Sequence, residues 1–263
     1  MQQRHQDRRL YFRELANTSR EFYLDQVREA MTLTSETRVL EIGCGEGGNL
    51  LPFAELGCCV TGIDIDEGKI KNAELFFGEA GKQGTFIASD FMKVQLPETE
   101  EEKYDLLLLH DVIEHIEPPY KEQFLTHMMC FMKSDALVFI GFPAWQMPFG
   151  GHQQICKGKL SKMPYIHLLP KKMYKGLLTH AKESEGCIDE MLSIKRAKMP
   201  IEKFEKLVKS VGLKVEKRRL WLINPHYKQK FGLRPVKEVW PFTSLVWLRN
   251  FYTTSAWYLV KKR

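Results

Sequence analysis

Several things are scarce in this chain of 263 residues. No run of roughly 18 apolar residues occurs free of charge, which excludes an ordinary membrane-spanning helix. The opening stretch Met1-Gln2-Gln3-Arg4-His5-Gln6-Asp7-Arg8-Arg9 has no apolar core, so no secretory signal is expected. The six cysteines (Cys44, Cys58, Cys59, Cys130, Cys156, Cys187) include no Cys-x-x-Cys pair and no zinc spacing. A reduced, cytoplasmic protein is the simplest expectation. Internal repeats and low-complexity linkers are also missing. Acidic residues are unevenly scarce: residues 1–145 hold 14 Lys/Arg against 25 Asp/Glu, whereas residues 146–263 hold 25 against 8. The net charge therefore swings from −11 to +17 between the two parts. A basic half serves solubility or faces an anionic substrate, a membrane surface or nucleic acid.

What the chain does have centres on residues 38–48, Arg-Val-Leu-Glu-Ile-Gly-Cys-Gly-Glu-Gly-Gly. Val39, Leu40 and Ile42 read as a short buried strand, followed by glycines and then a helix from Asn49, with Pro52 tolerated in its first turn. A strand, a glycine turn and a helix let backbone N–H groups approach a ligand closely. Gly43-x-Gly45-x-x-Gly48 also fits the dinucleotide fingerprint, but Glu41 at the strand end would repel a pyrophosphate and suits a cationic ligand. Asp64 ends a second strand 17 residues after Gly47, where a carboxylate can accept both hydroxyls of a ribose.

At this point the sequence closely resembles class I S-adenosylmethionine (SAM) dependent methyltransferases, whose first motif is matched by Glu41 to Gly47. The resemblance implies SAM as cofactor, with Glu41, Gly43, Cys44, Gly45, Asp64 and Ile65 around it. It also implies that Asp90 takes the adenine amino group, with Phe91 beside the ring, and that helices ahead of the first strand close over the cofactor. Tyr11, Arg20 and Tyr23 are candidates there, with core packing the alternative for both tyrosines.

Further along, Thr85–Ala88 reads as the third strand, Tyr104–Leu109 as a fourth buried on both faces, and Ala136–Ile140 as a fifth. Helices are expected over 4–31 (two, with Thr18 or Ser19 capping the second), 67–77, 120–132, 172–181 and 200–211. Leu213–Ile223 and Thr254–Val260 supply strands six and seven. The alternation predicts an α/β fold: a Rossmann-like, doubly wound, seven-stranded sheet, its last strand antiparallel as in the resembled family, with a cap inserted after strand five. The expected organisation is one domain over 1–263: N-terminal helices 1–35, SAM-binding core 36–142, substrate cap 143–199, and C-terminal helix and strands 200–263. Ligands of such sheets bind beyond the strand carboxyl ends, where Glu41, Asp64, Asp90 and His110-Asp111 all fall.

After strand four comes His110-Asp111-Val112-Ile113-Glu114-His115. The Glu-His pair resembles the ubiquinone-biosynthesis O-methyltransferase branch, some members of which hold a metal with Glu-x-x-Glu-His. Here Asp111 stands first, and His152 would have to come from the cap. The expectation is a metal-free site, with His110 among the cofactor residues and His115 as base, Asp111 and His152 as weaker candidates. The expected reaction is O-methylation of a small-molecule, glycan or lipid-linked acceptor, anionic or at a membrane periphery. An RNA methyltransferase is the first rival, although no appended RNA-binding module is visible. The others are an N- or C-methyltransferase and a non-catalytic SAM-fold regulatory or assembly protein.

Overall fold

The computed structural model describes residues 7–263; residues 4–6 of the helical span expected over 4–31 lie outside them. Eight strands form one sheet in the order β3-β2-β1-β4-β5-β8-β6-β7. They are β1 (Arg38–Ile42), β2 (Cys59–Asp64), β3 (Thr85–Ala88), β4 (Tyr104–His110), β5 (Met132–Phe142), β6 (Leu213–Ile223), β7 (Val236–Lys237) and β8 (Ser255–Lys262). The first five run parallel, and β8 lies antiparallel between β5 and β6. The two-residue edge strand β7 is one more than expected; so short a pairing leaves no alternating pattern to read.

The period of two along the strands divides the core. Leu40, Ile42, Leu107, Leu109, Val138 and Ile140 pack on one face against α5 (Lys121–Cys130) and α8 (Ile201–Ser210). Val39, Val60, Leu106, Leu108, Leu137 and Phe139 pack on the other, against α1 (Arg8–Thr18), α2 (Leu24–Arg28), α3 (Leu51–Glu55) and α4 (Glu67–Glu79). Burial on both faces explains the unbroken Leu106–Leu109 run. Between α1 and α2 the helix continues through a π-helical turn, Ser19–Tyr23, so neither Thr18 nor Ser19 caps a new helix. Thr18 instead donates back to the Glu14 carbonyl, as a hydroxyl inside a helix does.

The cap has its own core. Trp145, Ile166, Tyr174, Leu178, Ile188, Met191 and Leu192 cluster between α6 (Lys171–His180) and α7 (Glu185–Ala197). Helix α7 was not anticipated, although Ile188, Met191 and Leu192 have helical spacing and Ser184 caps its start by accepting from Cys187 N. A further short helix, α9 (His226–Phe231), was also missed. It lies across α1, with His226 edge-on to Tyr11 at 6.2 Å between ring centroids and its Nδ1 3.1 Å from Thr18 Oγ1.

Gly43 adopts φ +75°, and a Cβ there would stand 2.5 Å from Val112 Cγ2. Gly43→Ala therefore combines a left-handed backbone with a clash in the core. It should lower the unfolding free energy by about 2–4 kcal/mol, read as a shifted midpoint in urea denaturation.

Candidate functional site

Five parallel strands end on one edge of the sheet, and their terminal residues define the site. Glu41 is almost wholly buried. Its Oε1 accepts from Asn49 Nδ2 at 2.7 Å, while its Oε2 is buried without a partner. Burial pushes its pKa from 4.5 up to about 8; the Asn49 bond opposes this and nearby Asp64 adds to it. A carboxylate held this way gains from a cationic neighbour.

The glycine turn is pinned by Gly43 N and Cys44 N donating to Ile63 O, and by Gly45 N donating to Asp64 Oδ2 at 2.9 Å. Gly45 has φ +55° with no atom within 4 Å of where a Cβ would be, so bare backbone lines that side of the turn. Cys44 is buried, and burial raises its thiol pKa, followed by Glu41 and Asp64. It contributes backbone rather than a reactive sulfur. Asp64 Oδ1 accepts from Asp66 N at 2.9 Å, and each carboxylate oxygen keeps a second lone pair for a hydroxyl. Ile65, 76% exposed beside it, is a free apolar surface.

Asp90 Oδ1 accepts from Met92 N at 3.0 Å and so starts the turn Phe91–Lys93. Phe91 stands at the expected place, but its ring packs against Phe124, Phe131 and His127. Any contact with an adenine there runs through backbone rather than the ring face. Of the helical candidates, Tyr23 is buried, with its ring 5.1 Å from that of His110. Arg20 is removed from the site: it points outward and pairs with Glu55. Instead Arg8 reaches the turn, donating to buried Glu46 at 2.6 Å and fixing α1 over it.

Beyond β4 the chain turns sharply. Asp111 sits at φ +55°, a costly backbone for a non-glycine residue, with its N–H donating to Gly141 O at 2.9 Å. Its carboxylate lies 3.3 Å from His110 Nδ1, in a recess still open to water. Surrounding protein atoms oppose its charge, yet His110, then His152 and His115, outweigh them and hold its pKa at about 2. The field of Asp111 also reaches Tyr11, Tyr23 and Tyr227, whose hydroxyl pKa values are raised first by burial and then by this charge. Tyr227 comes from α9 and was missed, because six residues carry no helical period.

The cap delivers His152. Its ring lies 4.8 Å from that of His115, edge to face. Donor atoms of Glu114, His115 and His152 all fall within 4.8 Å of one another. Glu114 is buried with both oxygens unpartnered, and burial, then Asp111, pushes its pKa well up. Burial lowers the His115 pKa, and burial followed by His115 pushes His152 down to about 4. His110 Nε2 is also buried without a partner, between Tyr23, Phe139 and Trp257. A second donor group lies within the cap: Cys156 and Cys187 Sγ are 3.5 Å apart beside Glu183. Linear spacing gave no sign of it. There Glu183 is already occupied, accepting from Lys157 N, Gly158 N and Ser161 Oγ, and it shapes the 157–161 loop.

The structure thus joins a doubly wound α/β sheet to a bare glycine turn, with Glu41 near the end of β1, Asp64 at the end of β2, and N-terminal helices packed beside them. Residues 39–135 match the family described as "Methyltransferase domain". The ubiquinone biosynthesis O-methyltransferase of Maricaulis maris (strain MCS10) is 37% identical over 83 residues, 32% of this chain and 32% of that one. Its counterpart in Rickettsia felis (strain ATCC VR-1525 / URRWXCal2) is 26% identical over 120 residues, 46% and 47% of the two chains. The chain thus spans less than half the length of these curated relatives. Among solved structures, a S-adenosylmethionine-dependent methyltransferase from Clostridium acetobutylicum ATCC 824 superposes with TM-score 0.60 at 11% identity, over 94% of this chain and 91% of that one. Magnesium protoporphyrin IX methyltransferase from Synechocystis PCC 6803, solved with bound SAH, gives 0.55 at 15% identity, over 97% and 84%. The chain has the fold of these methyltransferases, and residues 39–135 within it are similar to a methyltransferase domain.

Glu41 carries a simple pH signature. Its folded pKa lies above the ordinary 4.5, so the folded state holds an extra proton between about 4.5 and 8. Its contribution to stability is full below that window and is lost as pH rises through it. Glu41→Gln should therefore gain thermal stability relative to wild type at pH 8.5 but not at pH 4, roughly the two ends of the window. Melting curves across that range check this.

Proposed function

We propose that the protein is a SAM-dependent methyltransferase acting on a hydroxyl acceptor held between the strand edge, α9 and the cap. The observation that carries this reading is the buried, unpartnered Glu41 Oε2 on the strand that leads into the glycine turn, whose Gly45 is open. That arrangement fits the ammonium or sulfonium of SAM better than a pyrophosphate. When bound, SAM supplies an electrophilic methyl group on a cationic sulfur. In this reading Glu41 holds the charged end, Asp64 accepts the ribose hydroxyls, Ile65 covers the base, and Asp90 with the Phe91 backbone borders its amino group. The acceptor hydroxyl stands beside His115, which is neutral at physiological pH and free to take its proton. His152 and Asp111 orient that imidazole. Alignment of acceptor and donor supplies most of the rate. Tyr11 and Tyr227 face the same recess and shape its acceptor side. The basic cap and C-terminal part favour an anionic small-molecule, glycan or lipid-linked acceptor over a neutral one.

A second reading of the same residues is favoured by the geometry of Glu114, His115 and His152. A buried carboxylate with two unpartnered oxygens beside two neutral imidazoles is a donor set that suits a divalent ion. The ion would be held by these three residues, where it could lower the pKa of an acceptor hydroxyl.

Calorimetric titration with SAM and with NAD tests the cofactor. SAM should bind and NAD should not, and Asp64→Ala should weaken SAM by about tenfold or more, through lost charge-assisted hydrogen bonds of roughly 1.5–3 kcal/mol each. Tight NAD binding with no SAM signal would sink the reading.

Transfer of labelled methyl to fractionated cell extract identifies the acceptor class, including RNA and protein. Once an acceptor is known, His115→Ala should cut turnover by roughly 10²–10⁴-fold with SAM affinity retained. The acidic limb of the wild-type pH profile should fall below the ordinary histidine value of 6.5, because burial lowers the His115 pKa. Activity that survives EDTA supports the free base; activity lost to EDTA and restored by magnesium or manganese supports the ion.

A further inference from the structure

Residues 239–248, Val-Trp-Pro-Phe-Thr-Ser-Leu-Val-Trp-Leu, form an uncharged strap between β7 and β8. Its apolar side chains point outward: Trp240 is 80% exposed and Trp247 60%, with Val239, Phe242, Val246 and Leu248 exposed beside them. The strap is not a loose tail. At its base Arg249 is buried and donates to Glu202 at 2.9 Å, and Asn250 donates to the same carboxylate at 2.7 Å. Asn250 Oδ1 also accepts from Ile201 N at 2.8 Å, and Tyr252 OH donates to Phe242 O at 2.7 Å. The fold therefore holds these aromatic side chains out in water from a fixed base.

The cap continues the same surface. Ile155, Leu160, Met163 and Tyr165 are exposed on a loop that also carries exposed Lys157, Lys159 and Lys162. Tyr165 OH donates to Phe251 O at 3.3 Å, and the Phe251 ring stacks edge-on to Trp247 at 4.9 Å. Exposed Arg234 and Lys237 flank the strap on its other side. Over residues 234–248 the single acidic residue is Glu238, half-buried and bonded to Thr253 Oγ1.

We propose that this strap and the 155–165 loop together dock the protein on an anionic lipid bilayer, with Trp240 and Trp247 at the headgroup boundary and the lysines on its phosphates. Indole rings have an apolar body and one polar N–H, which suits that boundary. Stable attachment without a membrane-spanning helix needs both an apolar and a basic signal, and among the described residues no helix is long and apolar enough to span. A second copy of the chain is a poorer occupant. A two-fold contact through this face would set its lysines and Arg234 against their own counterparts, whereas an anionic surface complements them. The proposal goes beyond the methyl-transfer reading and does not depend on it, because its readout involves no activity.

The test is sedimentation of the full chain with equimolar phosphatidylglycerol–phosphatidylcholine vesicles and with pure phosphatidylcholine vesicles, at low and high salt. Binding is expected to the anionic vesicles at low salt, weakened at high salt and by phosphatidylcholine alone. Trp240→Ser with Trp247→Ser should reduce it at least about tenfold. Neutralising Lys157, Lys159 and Lys162 to Gln should cost about fivefold each. All five positions are exposed, so melting temperatures should stay near wild type, and light scattering should report a monomer. Binding to neither vesicle, equal binding to both, binding unchanged by the tryptophan pair, or a dimer that this pair dissolves would each overturn the proposal.

Discussion

Negative charge crowded at the carboxyl edge of the sheet is the constraint on which the rest of the site depends. Glu41, Asp64, Asp111 and Glu114 converge there, and three of the four side chains are buried. Carboxylates this close and this dry cannot all stay ionised without compensation. The protein resolves the problem unequally. Asp111 keeps its charge because it stays open to water with His110 Nδ1 3.3 Å away, while Glu41 and Glu114 are pushed toward the protonated form by burial. The two relatively neutral carboxyls mark where positive charge is missing. One lies beside the glycine turn and the other beside two imidazoles, which is why a cationic ligand and a proton-accepting or ion-binding centre are read side by side.

The helices around this edge answer to the same constraint. Tyr11 and Tyr23 from the N-terminal helix and Tyr227 from α9 share the Asp111 field. Helix α1 is anchored by Arg8 on Glu46 inside the glycine turn, so the turn and the N-terminal helix are mechanically joined. The cap packs around its own core and contributes His152 from a residue at φ +55°. Holding that backbone costs free energy, which is consistent with a side chain placed for function and with little freedom to move.

Much of the fold was legible in the chain because parallel strands buried on both faces leave unbroken apolar runs, and acidic residues ending those runs can lie only on one edge. Leu106–Leu109 followed by His110-Asp111, and Ile63-Asp64 after the glycine turn, carry that information locally. Helices α7 and α9 escaped for different reasons. The first has readable spacing that was passed over amid the irregular cap; the second is too short to show a period. Arg20 became a candidate through the resemblance, which does not say which neighbour a helix face meets, and Glu55 is its neighbour.

The sequence by itself determined where the first five strands lie in the chain, the glycine turn, and the positions of Glu41, Asp64 and Asp90 near strand ends, since each depends on hydrophobic period and on residues close in the chain. Tertiary structure decided what no spacing encodes. It brought His152 onto His115 across 36 intervening positions, buried Glu114 without a partner, turned the Phe91 ring into the core, and set Cys156 against Cys187. The physical reason is that burial and electrostatic environment are properties of the packed whole. A carboxylate has the same formula wherever it stands, and only the surrounding fold decides whether it holds a charge, a proton or a ligand.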